Sequence, residues 1–232
     1  MSSQNREVAF QNLFNYVATK CKSQLGQDMF VLLRSNFKRN GYFVEFGGTN
    51  GVELSNTHIL EKEFGWRGII AEPAIIWHKE LVRNRGCHIE IDCVWDKSGE
   101  ILTFNETNFA VLSTIDKFSS HDELHKESRK IGKKYDVKTI SLEDMLIKYL
   151  APKTIDYLSI DTEGSEYQIL SNFNFDKYEF KFITCEHNYT ADREKIYSLL
   201  LSKGYLRVEE GKSQFDDWYV KENLKRSVLL YL

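Results

Sequence analysis

The chain has 232 residues and a formal charge of −3, from 31 basic and 34 acidic residues. That length suits one sizeable α/β domain and is short for two well-packed ones. The mixed charge carries no global signal for nucleic acid or for an anionic membrane surface, and no apolar run reaches the roughly 18 residues of a transmembrane helix.

Residues 1–20 read as a helix, with Val8, Phe10, Leu13, Phe14 and Val17 as a ragged apolar stripe. The segment SQLGQD, Ser23 to Asp28, interrupts it, and a second helix is expected from Met29 to Phe37. Alternation begins at Tyr42. VEF is a first strand, and a helix follows over about Leu54 to Phe64. RGIIAE is a second strand ending at Glu72, and Pro73 opens a helix running to about Arg85. CHIEI is a third strand, ending at Asp92, and two or three looser strands follow, one of them Ile101 to Glu106. Ser119 to Lys134 is dense in charge and reads as a surface excursion. SLEDMLIKYL starts a helix, with Ser141 and Asp144 at capping-box spacing. IDYLSID is a fourth strand ending at Asp161, with a helix in EGSEYQIL. FKFITCE is a fifth strand, ending at Glu186, and a helix covers Asp192 to Leu201. GYLRV and DWYV close the chain as two strands. Strands alternating with helices give a mostly parallel sheet covered on both faces. The final pair, joined without a helix, is expected to be antiparallel. We divide the chain into an N-terminal helical extension, 1–40, packed on the core, and a domain over 41–232.

The four cysteines, Cys21, Cys87, Cys93 and Cys185, form no CxxC pair and read as small core residues in a reducing compartment. MSSQNREVAF lacks the basic start and apolar core of a signal peptide, so a cytoplasmic location is expected. His121 and His125 stand i, i+4, but the Glu of HExxH is one place late. We read them as exposed histidines rather than a zinc site.

Ligands of doubly wound sheets bind beyond the carboxyl ends of the strands. Five such ends carry acids here: Glu45, Glu72, Asp92, Asp161 and Glu186. The loop GGTNG after the first strand gives ExGxxxG over Glu45, Gly47 and Gly51, not the GxGxxG of dinucleotide sites. Its glycines allow close backbone approach at a helix start. A carboxylate so near the turn repels a pyrophosphate and suits an ammonium group. Glu72, 21 residues after Gly51, is placed to accept hydrogen bonds from ribose hydroxyls. An ammonium site, a ribose site and no pyrophosphate describe S-adenosylmethionine. Expected cofactor contacts are Glu45, Gly47, Gly48, Asn50, Gly51 and Glu72, with Asp92 toward the adenine amino group. Gly47→Val is expected to cost cofactor binding more than stability. A structural turn and a nicotinamide site are the competing readings of the loop. Two further clusters, SIDTEGSE and CEHNY, carry the candidate catalytic groups Asp161, Glu186 and His187, the last matched to proton transfer near neutral pH. Glu163 there reads as a residue favoured by a helix dipole.

In order, SQLGQD, GYFVEFGGTNGVELSNTHILEKEFGWRGIIAEP, KTISLEDML and IDYLSIDTEGSEYQIL resemble the FkbM family of S-adenosylmethionine-dependent methyltransferases. The likeness runs from about Ser23 to the C terminus and is poorest over Ser119 to Lys134. It implies a Rossmann-like seven-stranded methyltransferase sheet with a C-terminal antiparallel hairpin, in three α/β/α layers. It implies methyl transfer to oxygen, often a sugar or natural-product hydroxyl. The family's cofactor motif falls on Glu45, Gly47 and Gly51, its ribose acid on Glu72, its D-x-E-G on Asp161, Glu163 and Gly164, and its acidic fifth-strand end on Glu186. Many relatives have an alanine and an acid where this chain has GGTNG.

The expected reaction is in-line attack of an acceptor hydroxyl on the sulfonium methyl, with Asp161, Glu186 or His187 taking the proton. A divalent ion, Mg²⁺ or Mn²⁺, held by Asp161 and Glu186 is the alternative. Two ligands alone do not define a site, so the metal-free account with Asp161 as base is preferred. A saccharide is the expected acceptor, with Phe109 and Trp218 as candidate stacking faces. Other natural products and proteins are alternatives, nucleic acid is not expected, and no oligomeric state is read. The rival functions are a nicotinamide oxidoreductase and a non-catalytic domain of a glycan-assembly complex.

Overall fold

The computed structural model describes residues 3–224, so residues 1, 2 and 225–232, which the expected domain limits include, lie outside the described residues. Two helices, α1 (Ser3–Ala18) and α2 (Gln27–Arg34), precede the first strand, β1 (Tyr42–Phe46). Then come α3 (His58–Phe64), β2 (Arg67–Ala71), α4 (Ile75–Asn84) and β3 (His88–Glu90). Four strands follow: β4 (Cys93–Trp95), β5 (Ile101–Thr107), β6 (Thr114–Ile115) and β7 (Gly132–Ser141). The alternation resumes with α5 (Leu142–Lys148), β8 (Thr154–Ile160), α6 (Glu166–Ser171), β9 (Glu179–Glu186) and α7 (Asp192–Ser202). A hairpin, β10 (Tyr205–Val208) and β11 (Asp216–Lys221), ends the described chain.

The main sheet has seven strands in the order β10-β11-β9-β8-β1-β2-β3. Its five central and right-hand strands are parallel, and β11 runs antiparallel to both β9 and β10. This is the expected Rossmann-like sheet with its terminal hairpin. The order reverses between β1 and β8, so a crevice opens at their carboxyl ends. One face buries Val44, Ile69, Leu158 and Ile183 against Leu142, Met145, Leu146, Ile169, Leu170, Ile196 and Leu200 of α5, α6 and α7. The other buries Phe43, Ile70, Tyr157 and Phe182 against Val17, Phe30, Val31, Ile59, Leu60 and Leu81 of α1 to α4. Helix α5 starts where its sequence says: the Ser141 side chain accepts the Asp144 N–H at 3.1 Å.

Three expectations change. A second sheet, ordered β4-β7-β5-β6, stands over the crevice with a small core of its own around Cys93, Trp95, Phe104, Ile115, Phe118 and Val137. Its longest strand, β7, hides its alternation behind lysines: Lys134, Asp136 and Lys138 face solvent while Val137 and Thr139 are buried. The charged stretch Ser119 to Lys134 is not a surface excursion throughout, because Asp122 and Arg129 are buried. Trp218 is a core residue, its ring 4.8 Å from that of Phe30, and offers no face to a sugar.

Helix α3 begins at His58 rather than Leu54 because the preceding residues wrap the end of β1. Glu45 takes hydrogen bonds from the Ser55 hydroxyl at 3.1 Å, from the Asn56 N–H at 2.6 Å and from the Thr57 hydroxyl. Arg85, its side chain fully buried, closes the knot. It bonds the Gly51 carbonyl at 3.2 Å, Ser55 Oγ at 3.0 Å, Thr57 Oγ1 at 2.9 Å and Glu61 at 2.6 Å, and lies 3.6 Å from Glu45. Removing one partner of such a buried set strands the other charge, at a cost of about 3–5 kcal/mol. Arg85→Met should therefore lower the urea-unfolding free energy by that order, and adding Glu45→Gln should recover part of it. A loss below about 1 kcal/mol, as for an exposed pair, would show that the knot does not hold the loop.

Candidate active site

The glycine loop divides into residues that build the crevice and residues that face it. Gly47 sits at φ 75° with its N–H on the Ala71 carbonyl at 3.0 Å. A Cβ there would lie 2.2 Å from the Asp161 backbone oxygen, so only glycine lets the ends of β1 and β8 meet. The expectation that Gly47→Val costs cofactor binding more than stability does not survive this contact. Gly48 faces the Ile70 side chain, and Gly51, at φ 81°, faces the buried stem of Arg85. Asn50 shapes the turn through its side-chain oxygen, which accepts the Val52 and Glu53 N–H groups at 3.0 and 2.9 Å. Glu45 has both carboxylate oxygens engaged by the loop it anchors. Glu45, Gly48, Asn50 and Gly51 thus stand behind the cavity wall, whereas Gly47, Thr49, Leu54 and Asn56 line it.

Glu72, one residue past β2, lines the same cavity. Its Oε2 accepts the Thr49 N–H at 2.9 Å and its Oε1 the Ala74 N–H at 2.8 Å. These bonds fix the carboxylate and leave each oxygen a further lone pair. Burial pushes its pKa up to about 7 against the pull of those two bonds. Asp92 does not reach the cavity. β3 ends at Glu90, the Asp92 N–H turns back to Glu90 Oε1 at 3.0 Å, and Cys93 and Val94 present themselves to the cavity instead. Pro73, Trp77 and Phe104 complete this apolar end.

At the opposite end Asp161, Glu163 and Glu186 each bring a carboxylate oxygen within 4.8 Å of the others. β8 and β9 deliver Asp161 and Glu186, and Glu163 is turned inward by a left-handed backbone at φ 60°, a strained conformation for this residue. Burial pushes the Asp161 carboxyl up to about 7, with the charge of Glu166 adding to it and a hydrogen bond with Glu186 opposing it. Burial and then the charge of Asp161 raise both Glu163 and Glu186 well above the usual carboxylate range. Asp216 behind them is raised to about 8, again by burial first, and accepts Gln27 Nε2 at 2.7 Å.

His187 is buried and lines a small adjoining hollow with His121 and Thr190, which shares Glu163, Glu186 and Asn188 with the main cavity. Its Nδ1 accepts the Tyr189 N–H at 3.0 Å, its Nε2 is 3.7 Å from Asp217, and burial lowers its pKa. It does not line the main cavity.

Four contributors escaped the reading of the sequence. Gln24 and Gln27 reach the cavity from the N-terminal segment, where only the SQLGQD likeness marked them. Asn188 and Arg129 both bond Glu163 Oε2, the former at 3.1 Å. Arg129 also pairs with Asp122 and bonds the Leu112 carbonyl at 2.9 Å, tying the charged segment across the cavity mouth. Nothing in a run of mixed charges singles out the one arginine that is buried.

The raised pKa of Glu72 has a signed consequence. The folded chain holds this proton more tightly than the unfolded chain, whose value is near 4.5. The associated stability is fully present below about 4.5 and is lost as pH rises through about 7. Comparing urea unfolding at pH 5 and pH 8, Glu72→Gln should gain on wild type by up to about 3 kcal/mol. A difference independent of pH would mean that Glu72 is ionised in both states.

Two solved structures similar to the chain are methyltransferases. One is a precorrin-6y C5,15-methyltransferase from Geobacter metallireducens, at 10% identity over 83% of this chain and 85% of that one, with a TM-score of 0.43. The other is a TehB-like enzyme from Corynebacterium glutamicum, at 9% identity over 94% and 97% of the two chains, with a TM-score of 0.41. No curated protein matches the chain. Residues 45–220 match the methyltransferase FkbM domain, a span that holds the end of β1, the glycine loop, Glu72, Asp161 and Glu186. The chain belongs to the FkbM family and is an S-adenosylmethionine-dependent methyltransferase.

Proposed function

We propose that this enzyme methylates a hydroxyl group of a saccharide, with Glu72 holding the cofactor ribose and Asp161 receiving the acceptor proton. The observation that carries the reading is the polarity of the cavity. A single anchored carboxylate stands beside an apolar slot at one end, and a cluster of acids stands at the other.

Glu72, with two oxygens held by backbone N–H groups, suits the paired hydroxyls of a ribose. Trp77, Pro73, Val94 and Phe104 suit a flat adenine. The methionine end then runs past Gly47, toward Gln24 and Gln27. The acceptor enters from the acidic end. Its oxygen attacks the methyl carbon as the carbon–sulfur bond breaks, the bonding pair passes to sulfur, and the hydroxyl proton passes to Asp161. A carboxyl with a pKa near 7 is suited to hold that proton at neutral pH. His187 does not line the main cavity, which supports Asp161 over it for this role. Several acids in one pocket can accept hydrogen bonds from neighbouring hydroxyls, which favours a saccharide over an isolated alcohol. A small-molecule natural product or a protein hydroxyl is the second reading, favoured by the apolar residues Leu54, Val111 and Leu124 in the wall.

Titrating S-adenosylhomocysteine into wild type and Glu72→Ala tests the cofactor end. Loss of one or two charge-assisted hydrogen bonds, at roughly 1.5–3 kcal/mol each, should weaken binding at least about tenfold. Equal affinities would remove Glu72 from the ribose. At the other end, Asp161→Asn should slow transfer by about 10²–10⁴-fold while S-adenosylhomocysteine binding is kept. Labelled cofactor offered with saccharides, phenols, RNA and protein extract should mark the saccharides, and label confined to protein or RNA would overturn the assignment.

A further inference from the structure

We infer that Asp161, Glu163 and Glu186 form a divalent-cation site, of the hard kind that takes Mg²⁺ or Mn²⁺. The reading of the cavity as a methyl-transfer site tells where the ion would act, but the binding itself is measured without turnover. Two carboxylates at strand ends do not define such a site, and sequence supplies no more than two. The fold supplies the third. Glu163 is turned into the cavity by its left-handed backbone and clamped there through Oε2 by Arg129 and Asn188. An oxygen from each of the three acids then falls within 4.8 Å of the others, a spacing that one ion can bridge.

The independent sign of a ligand is Glu186. It is 6% exposed, it lines the cavity, and its Oε2 has no hydrogen-bond partner among the described residues. Such a buried acceptor is costly if nothing meets it. One guanidinium, that of Arg129, reaches the cluster through Glu163 and leaves Asp161 and Glu186 without a bonded cation among the described residues. Glu166 and Asp216 face the cluster with further negative charge, and the guanidinium bonded to Glu163 is shared with Asp122. A second triad, Asp122, His125 and Glu163, also lies close enough for an ion, but there Arg129 already pairs with both acids.

All-carboxylate donors suit Mg²⁺ or Mn²⁺, and an octahedral ion on three such ligands keeps positions for water or an acceptor oxygen. An ion there would lower the pKa of a bound acceptor hydroxyl. Asp161 has two oxygens, so binding an ion through one does not prevent the other from taking the hydroxyl proton.

Titration of MnCl₂ into metal-stripped protein, followed by the electron paramagnetic resonance signal of free Mn²⁺, tests the site. We expect one saturable ion per chain, bound tighter than about 1 mM. Glu186→Gln and Asp161→Asn should each weaken binding at least tenfold, and Glu100→Gln, at an exposed carboxylate outside the cavity, should leave it unchanged. Circular dichroism confirms that each variant is folded, and either acid variant suffices if the other does not fold. No saturable Mn²⁺ binding to wild type, or binding unaffected by these acids, overturns the site. S-adenosylhomocysteine is titrated into the same wild-type sample. If it binds and Mn²⁺ does not, the cation site fails and the methyltransferase reading stands. If Mn²⁺ binds and S-adenosylhomocysteine does not, the cation site stands and the placement of the cofactor fails.

Discussion

The buried contact between Arg85 and Glu45 decides how the crevice is built. Glu45 is the last residue but one of the central strand, Arg85 caps α4, and the residues between Gly51 and Glu61 are wound around the pair. The arrangement explains local features that look unrelated. α3 starts late because Ser55, Asn56 and Thr57 are spent on the carboxylate. Gly51 is a glycine because the arginine stem fills the space a Cβ would need. A well-packed apolar pair could be as stable in such a place, so the ion pair is better read as fixing one loop conformation than as adding stability. That fixed loop carries Thr49, whose N–H orients Glu72, and so a contact outside the cavity sets the geometry inside it.

The second constraint is the crowding of acid at the carboxyl ends of β8 and β9 and the amino end of β11. Parallel strands deliver Asp161 and Glu186 side by side, and the antiparallel β11 brings Asp216 opposite Glu186. The small sheet and the segment pinned by Arg129 then cover them. Desolvation and mutual repulsion act in the same direction and keep protons on carboxyls that would lose them in water. A group poised in this way can trade its proton for a substrate hydrogen bond or for a cation. Perturbed carboxyls in a cleft are the usual mark of a functional site.

Much of the fold was legible because its signals are local. The strands of the main sheet are apolar runs ended by glycine or acid, the helix after β7 carries its own cap at Ser141, and the closing hairpin lacks room for a crossover helix. The small sheet was only half legible. β5 could be read, but β7 pairs a buried Val137 and Thr139 with an outward face of lysines, and its partners lie some thirty residues away along the chain. Glu72, Asp161 and Glu186 could be read as cavity-lining acids because they end strands or follow them directly. Asp92 was misplaced by the same rule, since β3 stops two residues earlier than its apolar run implies.

The sequence by itself determined the order along the chain of the main sheet's strands and their helices, the membership of the FkbM family and the acids that end the strands. These depend on periodicity and on short motifs, which are properties of neighbours along the chain. The tertiary structure alone decided which acids point into the cavity and which are spent on the scaffold. Glu45 and Glu72 both follow the same motif logic, yet one is consumed by Ser55, Asn56, Thr57 and Arg85 and the other faces the cavity. It also decided that Arg129, one charge among many, is the buried residue that holds Glu163. The physical reason is the same in both cases. A charged side chain is directed by the partner that desolvation obliges it to find, and that partner is supplied by a distant part of the chain.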